Sequence, residues 1–140
     1  MKENFKIMGS FIKDMSSETP NTLTYLFAKN KVSKYKLTID INSTAVKNKI
    51  IEVNIILKFF DQSEVKRKAY FEITYTSIVK VDEKVSDKKE IEKIILCNVP
   101  NKSYPHIEKI FLNLLTDSGY PGIKLEKKID FTELYKQRAN

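Results

Sequence analysis

The chain has 140 residues, a formal net charge of +7, 41% hydrophobic residues and 31% charged residues. This length predicts one domain, residues 1–140, because two separate cores would each be marginally stable. No apolar run approaches the roughly 20 residues that span a bilayer, and the first residues do not resemble a secretory signal. We therefore expect a folded cytoplasmic protein that does not insert stably into membranes.

Residue types that carry chemistry are scarce. The single cysteine, Cys97, excludes an internal disulfide, and the single histidine, His106, cannot complete a zinc site with it. Neither residue lies in a motif for nucleophilic catalysis, and the three glycines form no phosphate-binding loop motif. The sequence therefore argues against structural zinc and nucleotide chemistry. We interpret Cys97 as a packed small hydrophobic residue and His106 as a structural or surface residue.

The positive charge is almost entirely lysine. Only Arg67 and Arg138 are arginines, and lysine lacks the planar fork that reads phosphate or guanine with two hydrogen bonds. The densest groups lie beside predicted strands, at Lys29, Lys31, Lys34 and Lys36 and at Lys66, Arg67 and Lys68. We interpret them as solvated edges and loop ends, and a weak contact with an anionic partner stays open.

Alternating apolar and polar residues predict four strands in the first part of the chain. The first covers about residues 4–14, with Phe5, Ile7 and Phe11 on one face and a bulge at Gly9. The other three carry the alternating segments Tyr35–Ile41, Ile51–Phe59 and Ala69–Thr76, with a turn at residues 61–64 before the last.

The period becomes helical after residue 86. Ile91, Ile94 and Ile95 predict a short helix that Ser86 caps and Pro100 stops. Four strands followed by helices indicate the α+β class with an antiparallel sheet.

A longer predicted helix covers residues 103–118 and ends at Gly119. It has Pro105 in its first turn and one apolar stripe, which consists of Tyr104, Ile107, Phe111 and Leu114. The stripe is widened by further apolar residues beyond what one sheet face covers, which favours burial against a partner chain. A last helix, residues 131–138, begins at a capping box that Asp130 opens.

Three carboxylates and the aromatic residues are the remaining candidates for a site. Asp14, Glu18 and Glu72 could serve acid–base chemistry, but Asp14 and Glu72 have the polar parity of strands, where carboxylates face water. An acidic docking patch is the alternative. Most aromatic residues belong to the core by default, although surplus apolar positions often form oligomer interfaces or peptide grooves.

Two stretches resemble the SecB family of protein-export chaperones. Residues 11–21, FIKDMSSETPN, resemble its N-terminal signature, an aromatic residue followed by K-D-hydrophobic-S-x-E-x-P-N. Residues 96–135, LCNVPNKSYPHIEKIFLNLLTDSGYPGIKLEKKIDFTELY, are similar to its C-terminal half, where P-N, aromatic-Pro, a helix, G-aromatic-P and [ND]-F-x-x-L-aromatic recur at these intervals. The strand pattern between them also matches, so the resemblance covers nearly the whole chain.

The resemblance implies a four-stranded antiparallel Greek-key sheet and a homotetramer, a dimer of dimers with the long helices packed between dimers. From the apolar stripe of the long helix, we assign Ile107, Phe111 and Leu114 to this interface. It implies no catalytic residue, no metal and no cofactor. The implied function is to hold unfolded precursor proteins without ATP and to deliver them to the SecA translocation motor.

Site residues follow from the same resemblance. Asp14, Glu18, Tyr70 and Glu72 match the family's docking patch for the zinc-bearing, basic C-terminal tail of SecA. Phe11, Tyr104 and Tyr135 match positions near the groove that binds unfolded clients. Members of the family are usually acidic overall, whereas this chain is basic.

Two other functions stay open. A SecB-like chaperone of a toxin–antitoxin system would bind an antitoxin rather than many precursors. A module that binds anions or nucleic acid rests on net charge alone, and we do not expect nucleic acid as a partner.

Overall fold

The computed structural model describes residues 3–63, 68–125 and 129–139. Its strands are β1 (Phe5–Glu18), β2 (Lys36–Lys47), β3 (Ile50–Phe60) and β4 (Tyr70–Val81). Its α-helices are α1 (Thr22–Ala28), α2 (Lys88–Lys93), α3 (Val99–Asp117) and α4 (Phe131–Ala139). The predicted α+β class, four strands followed by helices, is confirmed.

The four strands form one antiparallel sheet in the order β1-β4-β3-β2. Strands β2, β3 and β4 are neighbours both in the chain and in the sheet, whereas β1 lies beside β4 and reaches β2 by a long connection. This arrangement is a Greek key. It leaves β1 and β2 as the two edge strands.

One face of the sheet, called here the helix side, carries the core. Every second residue of β3, from Val53 to Phe59, is almost fully buried there. The ring of Phe59 contacts Phe111 of α3 edge-on at 6.1 Å, and Phe71 of β4 contacts Tyr120 in the same way at 5.4 Å. The predicted alternation in β3 and β4 therefore marks the buried face. The opposite face is called the open side.

Two bulges shape β1. Phe5 and Ile7 lie opposite Val81 and Val79 on the helix side, and the register then shifts between Ile7 and Gly9, which confirms the predicted bulge. A second shift follows between Ile12 and Asp14. Each extra residue inverts the alternation of side chains, so the two shifts cancel by the time the chain reaches Asp14.

Phe11 lies between the two bulges, and its predicted place was wrong. It pairs with Thr76, on the open side, and not on the face of Phe5 and Ile7. The sequence contains Gly9 as a signal for the first bulge but no residue that signals the second.

Two short elements between β1 and β2 were not predicted. The side chain of Asn21 caps α1 by accepting a hydrogen bond from the Thr24 backbone N–H at 2.9 Å. A 3₁₀ turn, Val32–Lys34, follows and leads into β2. At seven residues, α1 is too short to show a helical apolar period.

The predicted stop at Pro100 was wrong. A π-helical turn, Ile94–Asn98, joins α2 to α3, and the residues at both junctions keep helical dihedral angles. Pro100 lies in the first turn of α3, where the wider preceding turn tolerates a residue without an N–H. The predicted cap was also one residue early, because Asp87, not Ser86, accepts the capping hydrogen bond from Lys89.

The ends of the later helices agree with the sequence. Gly119 follows α3 with a φ of 102°, a left-handed conformation that favours glycine. A Cβ there would lie 3.0 Å from the ring of Tyr25, whose hydroxyl donates to the Gly119 carbonyl. Asp130 accepts from the Glu133 N–H at the start of α4. Of the predicted turn at residues 61–64, the last residue lies outside the described part of the chain.

Candidate functional site

Asp14, Glu18, Tyr70 and Glu72, called here the acidic patch, all lie on the open side. Glu18 pairs with Tyr70 across β1 and β4, and Glu72 pairs with Ser16. Asp14 and Glu18 are two residues either side of Ser16, so both are diagonal neighbours of Glu72, about 7–8 Å away. Because the second bulge in β1 offsets the first, the two β1 carboxylates keep the face that simple alternation from Ile7 predicts.

Tyr70 lies beside two carboxylates of the acidic patch, those of Glu18 and Glu72. Its hydroxyl donates a hydrogen bond of 2.5 Å to Glu72 Oε1. Partial burial, this hydrogen bond and the charges of Glu72 and Glu18 raise the pKa of Tyr70 to about 12. The Glu72 and Glu18 carboxylates therefore lie close enough to Tyr70 to raise the pKa of its phenol, even though the chain is basic overall.

The open side carries charges of both signs. Lys58 of β3 pairs with Glu72, whereas Lys6 pairs with Lys80 nearer the other end of β1 and β4. Carboxylates therefore predominate only at the acidic patch, with Lys58 beside them. Because the Debye length is about 8 Å at physiological salt, a partner on the acidic patch experiences mainly the nearest charges.

Tyr135, one of three predicted groove residues, lines an open groove between β2 and α4. This feature, called here the apolar groove, encloses about 320 Å³. Its other described lining residues are Ile39, Asp40, Ile41, Leu96, Phe131 and Leu134. Ile39, Ile41 and Leu134 were not predicted to line a groove. The alternation of apolar residues in β2 was a usable signal for the two isoleucines.

Tyr104 lines a second cavity, of about 250 Å³, that shares Phe131 with the apolar groove. Its ring packs 5.5 Å from that of Phe131 and is almost fully buried. Its hydroxyl makes no hydrogen bond in the described part of the chain. Burial raises the pKa of Tyr104, and the nearby Glu108 carboxylate adds to the effect. Tyr104 and Tyr135 therefore border adjoining cavities.

Phe11 is not brought to these cavities. It lies on edge strand β1, on the open side, with 46% of its surface exposed. The three predicted groove residues therefore occupy two sides of the sheet.

The predicted interface residues of α3 divide into two kinds. Ile107 and Phe111 are fully buried in the core of this chain, so they offer no surface to a partner. Their predicted place in an interface between chains was wrong, because this part of the apolar stripe packs against the sheet of the same chain. Leu114 is only partly buried. Large exposed apolar side chains lie instead along β1, at Met8, Phe11, Ile12 and Met15.

Cys97 is buried, and the exposed His106 packs against a neighbouring ring. The Cys97 thiol is buried and lies 3.4 Å from the Thr132 hydroxyl. The His106 ring packs edge-on against Tyr75 at 5.7 Å. Within the three described ranges, no group of His, Cys, Asp and Glu side chains could hold a metal ion, and no helix is long and apolar enough to cross a membrane.

The chain is similar to known proteins over its whole length. The family model described as "Preprotein translocase subunit SecB" matches residues 1–140. The chain is 79% identical to "Putative protein-export protein SecB" of Pelagibacter ubique (strain HTCC1062) over the full length of both chains. It is 27% identical to "Protein-export protein SecB" of Rhodospirillum rubrum, over 95% of this chain and 81% of that one.

A solved structure is also similar. It is the Mycobacterium tuberculosis Rv1957 SecB-like chaperone in complex with a ChAD peptide from the Rv1956 HigA1 antitoxin. The TM-score is 0.67 at 14% identity, covering 89% of this chain and 91% of that chain, so the likeness concerns the fold. Together with the full-length match to the family model, these findings show that the chain belongs to the SecB family of protein-export chaperones.

Proposed function

We propose that this protein is an ATP-independent chaperone that holds unfolded precursor proteins in a translocation-competent state and delivers them to SecA. The observation that carries the holding function is the apolar groove, which is open to solvent beside an edge strand. The full-length similarity to proteins named for protein export gives independent support.

The apolar groove suits an extended apolar segment. Ile39 and Ile41 line one wall, and Leu134 of α4, 48% exposed, lines the other. Because β2 is an edge strand, its outer backbone groups have no neighbouring strand among the residues that the structure describes. A segment lying there would bury its side chains between β2 and α4 while its backbone follows β2.

An aggregation assay tests the holding function. The wild-type protein should suppress light scattering by an unfolded client without ATP, and Leu134→Gln should weaken suppression because it removes an exposed apolar wall. Leu23→Gln is the matched control, since Leu23 is 68% exposed and lines neither cavity beside α4. Unchanged client aggregation at a stoichiometric excess of wild-type protein would refute the holding function.

Delivery to SecA is assigned to the acidic patch, which we propose binds the basic tail of that motor. Support comes from the Glu18 and Glu72 carboxylates that lie beside Tyr70 and from the position of the patch on the open side. The acidic patch lies on β1 and β4, on the open side, whereas the apolar groove lies between β2 and α4. Client and motor would therefore occupy separate surfaces.

We also propose a homotetramer, built as a dimer of dimers. The exposed apolar side chains of β1, at an edge of the sheet, support a contact along this strand, and Leu114 remains available on α3. Light scattering should give the mass of four chains. A monomer mass at micromolar concentration would contradict the assembly.

A chaperone that acts before export works in the cytoplasm, and we propose this location. No catalytic step and no cofactor enter the proposed mechanism, which relies on burial and charge. The likeness to the antitoxin-bound chaperone, at 14% identity, supports the fold alone, so it does not favour a toxin–antitoxin role.

A further inference from the structure

A second groove lies at the start of β2 and has a different character. It encloses about 540 Å³ between the 3₁₀ turn and the end of β3. We call it the lysine groove. Its described lining residues are Lys31, Lys34, Lys36, Asp61, Gln62 and Ser63. Three lysines from one short segment therefore border one concave surface.

The ammonium groups of the lysine groove are not neutralised by ion pairs in the described part of the chain, where the pairs formed are Lys13–Glu52 and Lys102–Glu3. Lys31 instead lies 4.3 Å from the ring centre of Phe27. The Asp61 carboxylate accepts hydrogen bonds from the Ser63 N–H and hydroxyl, which hold the turn at the rim.

The lysine groove and the apolar groove follow each other along the same edge strand. Lys36 lines the first from the open side, and Ile39 lines the second from the helix side. Three residues of β-strand span about 10 Å, and successive side chains of an extended chain point to opposite faces. One extended chain paired with the edge of β2 would therefore reach both grooves, passing Asp40, which lines the apolar groove and disfavours an acidic residue at that point.

We infer that the lysine groove binds an acidic stretch of the same unfolded chain whose apolar stretch occupies the apolar groove. The inference rests on the proposed holding function and adds a client class to it: apolar segments joined by a short uncharged spacer to a run of aspartates or glutamates. Three ammonium groups that line one groove, with no ion pair to any described residue, complement flexible carboxylates.

Peptide chemistry fits the lysine groove better than nucleic acid or a membrane. None of its described lining residues is aromatic, so it offers no platform on which bases could stack. The cations among its described lining residues are lysines, which lack the planar fork used for bidentate phosphate contacts. A flat bilayer surface does not fill a concave groove, whereas an extended peptide does.

Fluorescence anisotropy with three designed peptides tests the inference. All share one apolar stretch and a three-residue Gly-Ser spacer, and they differ in an arm of four Glu, four Gln or four Lys, made in both chain directions. In at least one direction the Glu peptide should bind about tenfold more tightly than the Gln peptide, because several exposed charge pairs each make a modest contribution to affinity. High salt should remove this difference and leave the apolar contribution.

Two triple variants locate the effect. Lys31→Gln, Lys34→Gln and Lys36→Gln together should abolish the preference for the Glu arm while the Gln peptide binds as before. The control combines Lys84→Gln, Lys88→Gln and Lys109→Gln, three exposed lysines outside both grooves, and changes the net charge equally. The control should keep the preference.

Equal affinities for the Glu and Gln peptides, or equal losses in the two triple variants, would overturn the lysine groove while leaving the holding function intact. Displacement of the Glu peptide by a single-stranded oligonucleotide of equal charge at lower concentration would overturn it in favour of nucleic acid. Failure of the wild-type protein to bind any of the three peptides would overturn the holding function and this inference together.

Discussion

The two faces of the sheet obey different constraints. On the helix side, Phe59, Phe71 and Phe111 pack ring to ring and are almost fully buried. On the open side, the ring centres of Phe60 and Tyr70 also lie 5.4 Å apart, but both rings remain partly exposed. Charged groups lie beside them: the Glu72 carboxylate at Tyr70 and the Lys68 ammonium over Phe60. Packing therefore dictates residue type on the helix side, whereas the open side keeps its freedom for charge and for binding.

The largest expected effect lies on the helix side. Phe111→Ala should lower the free energy of unfolding by about 3–5 kcal/mol, because it leaves a cavity among the rings of the core. Urea denaturation measures the change. Lys109→Ala, an exposed position of the same helix, should stay within about 0.5 kcal/mol of wild type. A loss below about 1 kcal/mol for Phe111→Ala would contradict the packing described here.

Removing the acidic patch should show the opposite behaviour, with loss of binding and little loss of stability. Asp14→Ala, Glu18→Ala and Glu72→Ala together should nearly abolish SecA binding, since each charge contributes about 1 kcal/mol or less. Asp14→Ala alone should weaken binding modestly. Calorimetry with SecA measures both effects, and client binding should not change.

A matched control for the acidic patch removes three exposed carboxylates elsewhere. Glu83→Ala, Glu92→Ala and Asp117→Ala together make the same change in net charge. This variant should bind SecA like wild type. If it weakened binding as much as the patch variant, net charge and not the patch would control docking.

The open side also contains a buried polar network, where an intermediate effect is expected. Thr76 donates to Asn54 Oδ1 at 2.7 Å, and Asn54 donates to Asn42 and Glu52. Asn54→Ala should cost about 1–3 kcal/mol, because it leaves the buried Thr76 hydroxyl without its acceptor. Thermal unfolding measures the cost. Asn42→Ala, at an exposed position, should cost less, and equal costs would contradict this account.

Sequence reasoning worked where a single physical constraint dominates. The alternation through Ile55 and Leu57 marks the helix side because burial selects apolar residues at every second position. The capping residue Asp130 and the helix-ending Gly119 were also readable, since each meets a local backbone need. The resemblance to a family supplied the acidic patch, which the structure brings together across two strands.

It failed where the outcome depends on tertiary context. Phe11 keeps the parity of Phe5 in the sequence, but two bulges that depend on pairing with β4 move it to the open side. Pro100 has the sequence signature of a helix stop, yet the π turn before it continues the helix. Ile107 was assigned to an interface with a partner chain. An apolar stripe in a helical sequence does not show that these residues pack against the sheet of the same chain, as Ile107 does.

The smallest expected effect concerns one proton in the acidic patch. The raised pKa of Tyr70, about 12, exceeds the ordinary value of 10.0. Between these two pH values the unfolded chain loses the Tyr70 proton while the folded chain keeps it, so the free energy of unfolding falls as pH rises. Tyr70→Phe should therefore make stability decline less steeply over this range, as denaturation at several alkaline pH values would show.

The hydrogen bond from Tyr70 to Glu72 makes this last effect specific. Glu72→Gln removes the charge while keeping an amide oxygen that can accept, so the pKa of Tyr70 should move down toward 10.0 without reaching it, because burial, the largest cause of the shift, remains. Tyrosinate absorbance measures this transition, which Tyr70→Phe should remove and Tyr135→Phe, on the other side of the sheet, should leave in place. An unchanged titration in Glu72→Gln would mean that the carboxylates do not act on Tyr70, and the acidic patch would lose its electrostatic support.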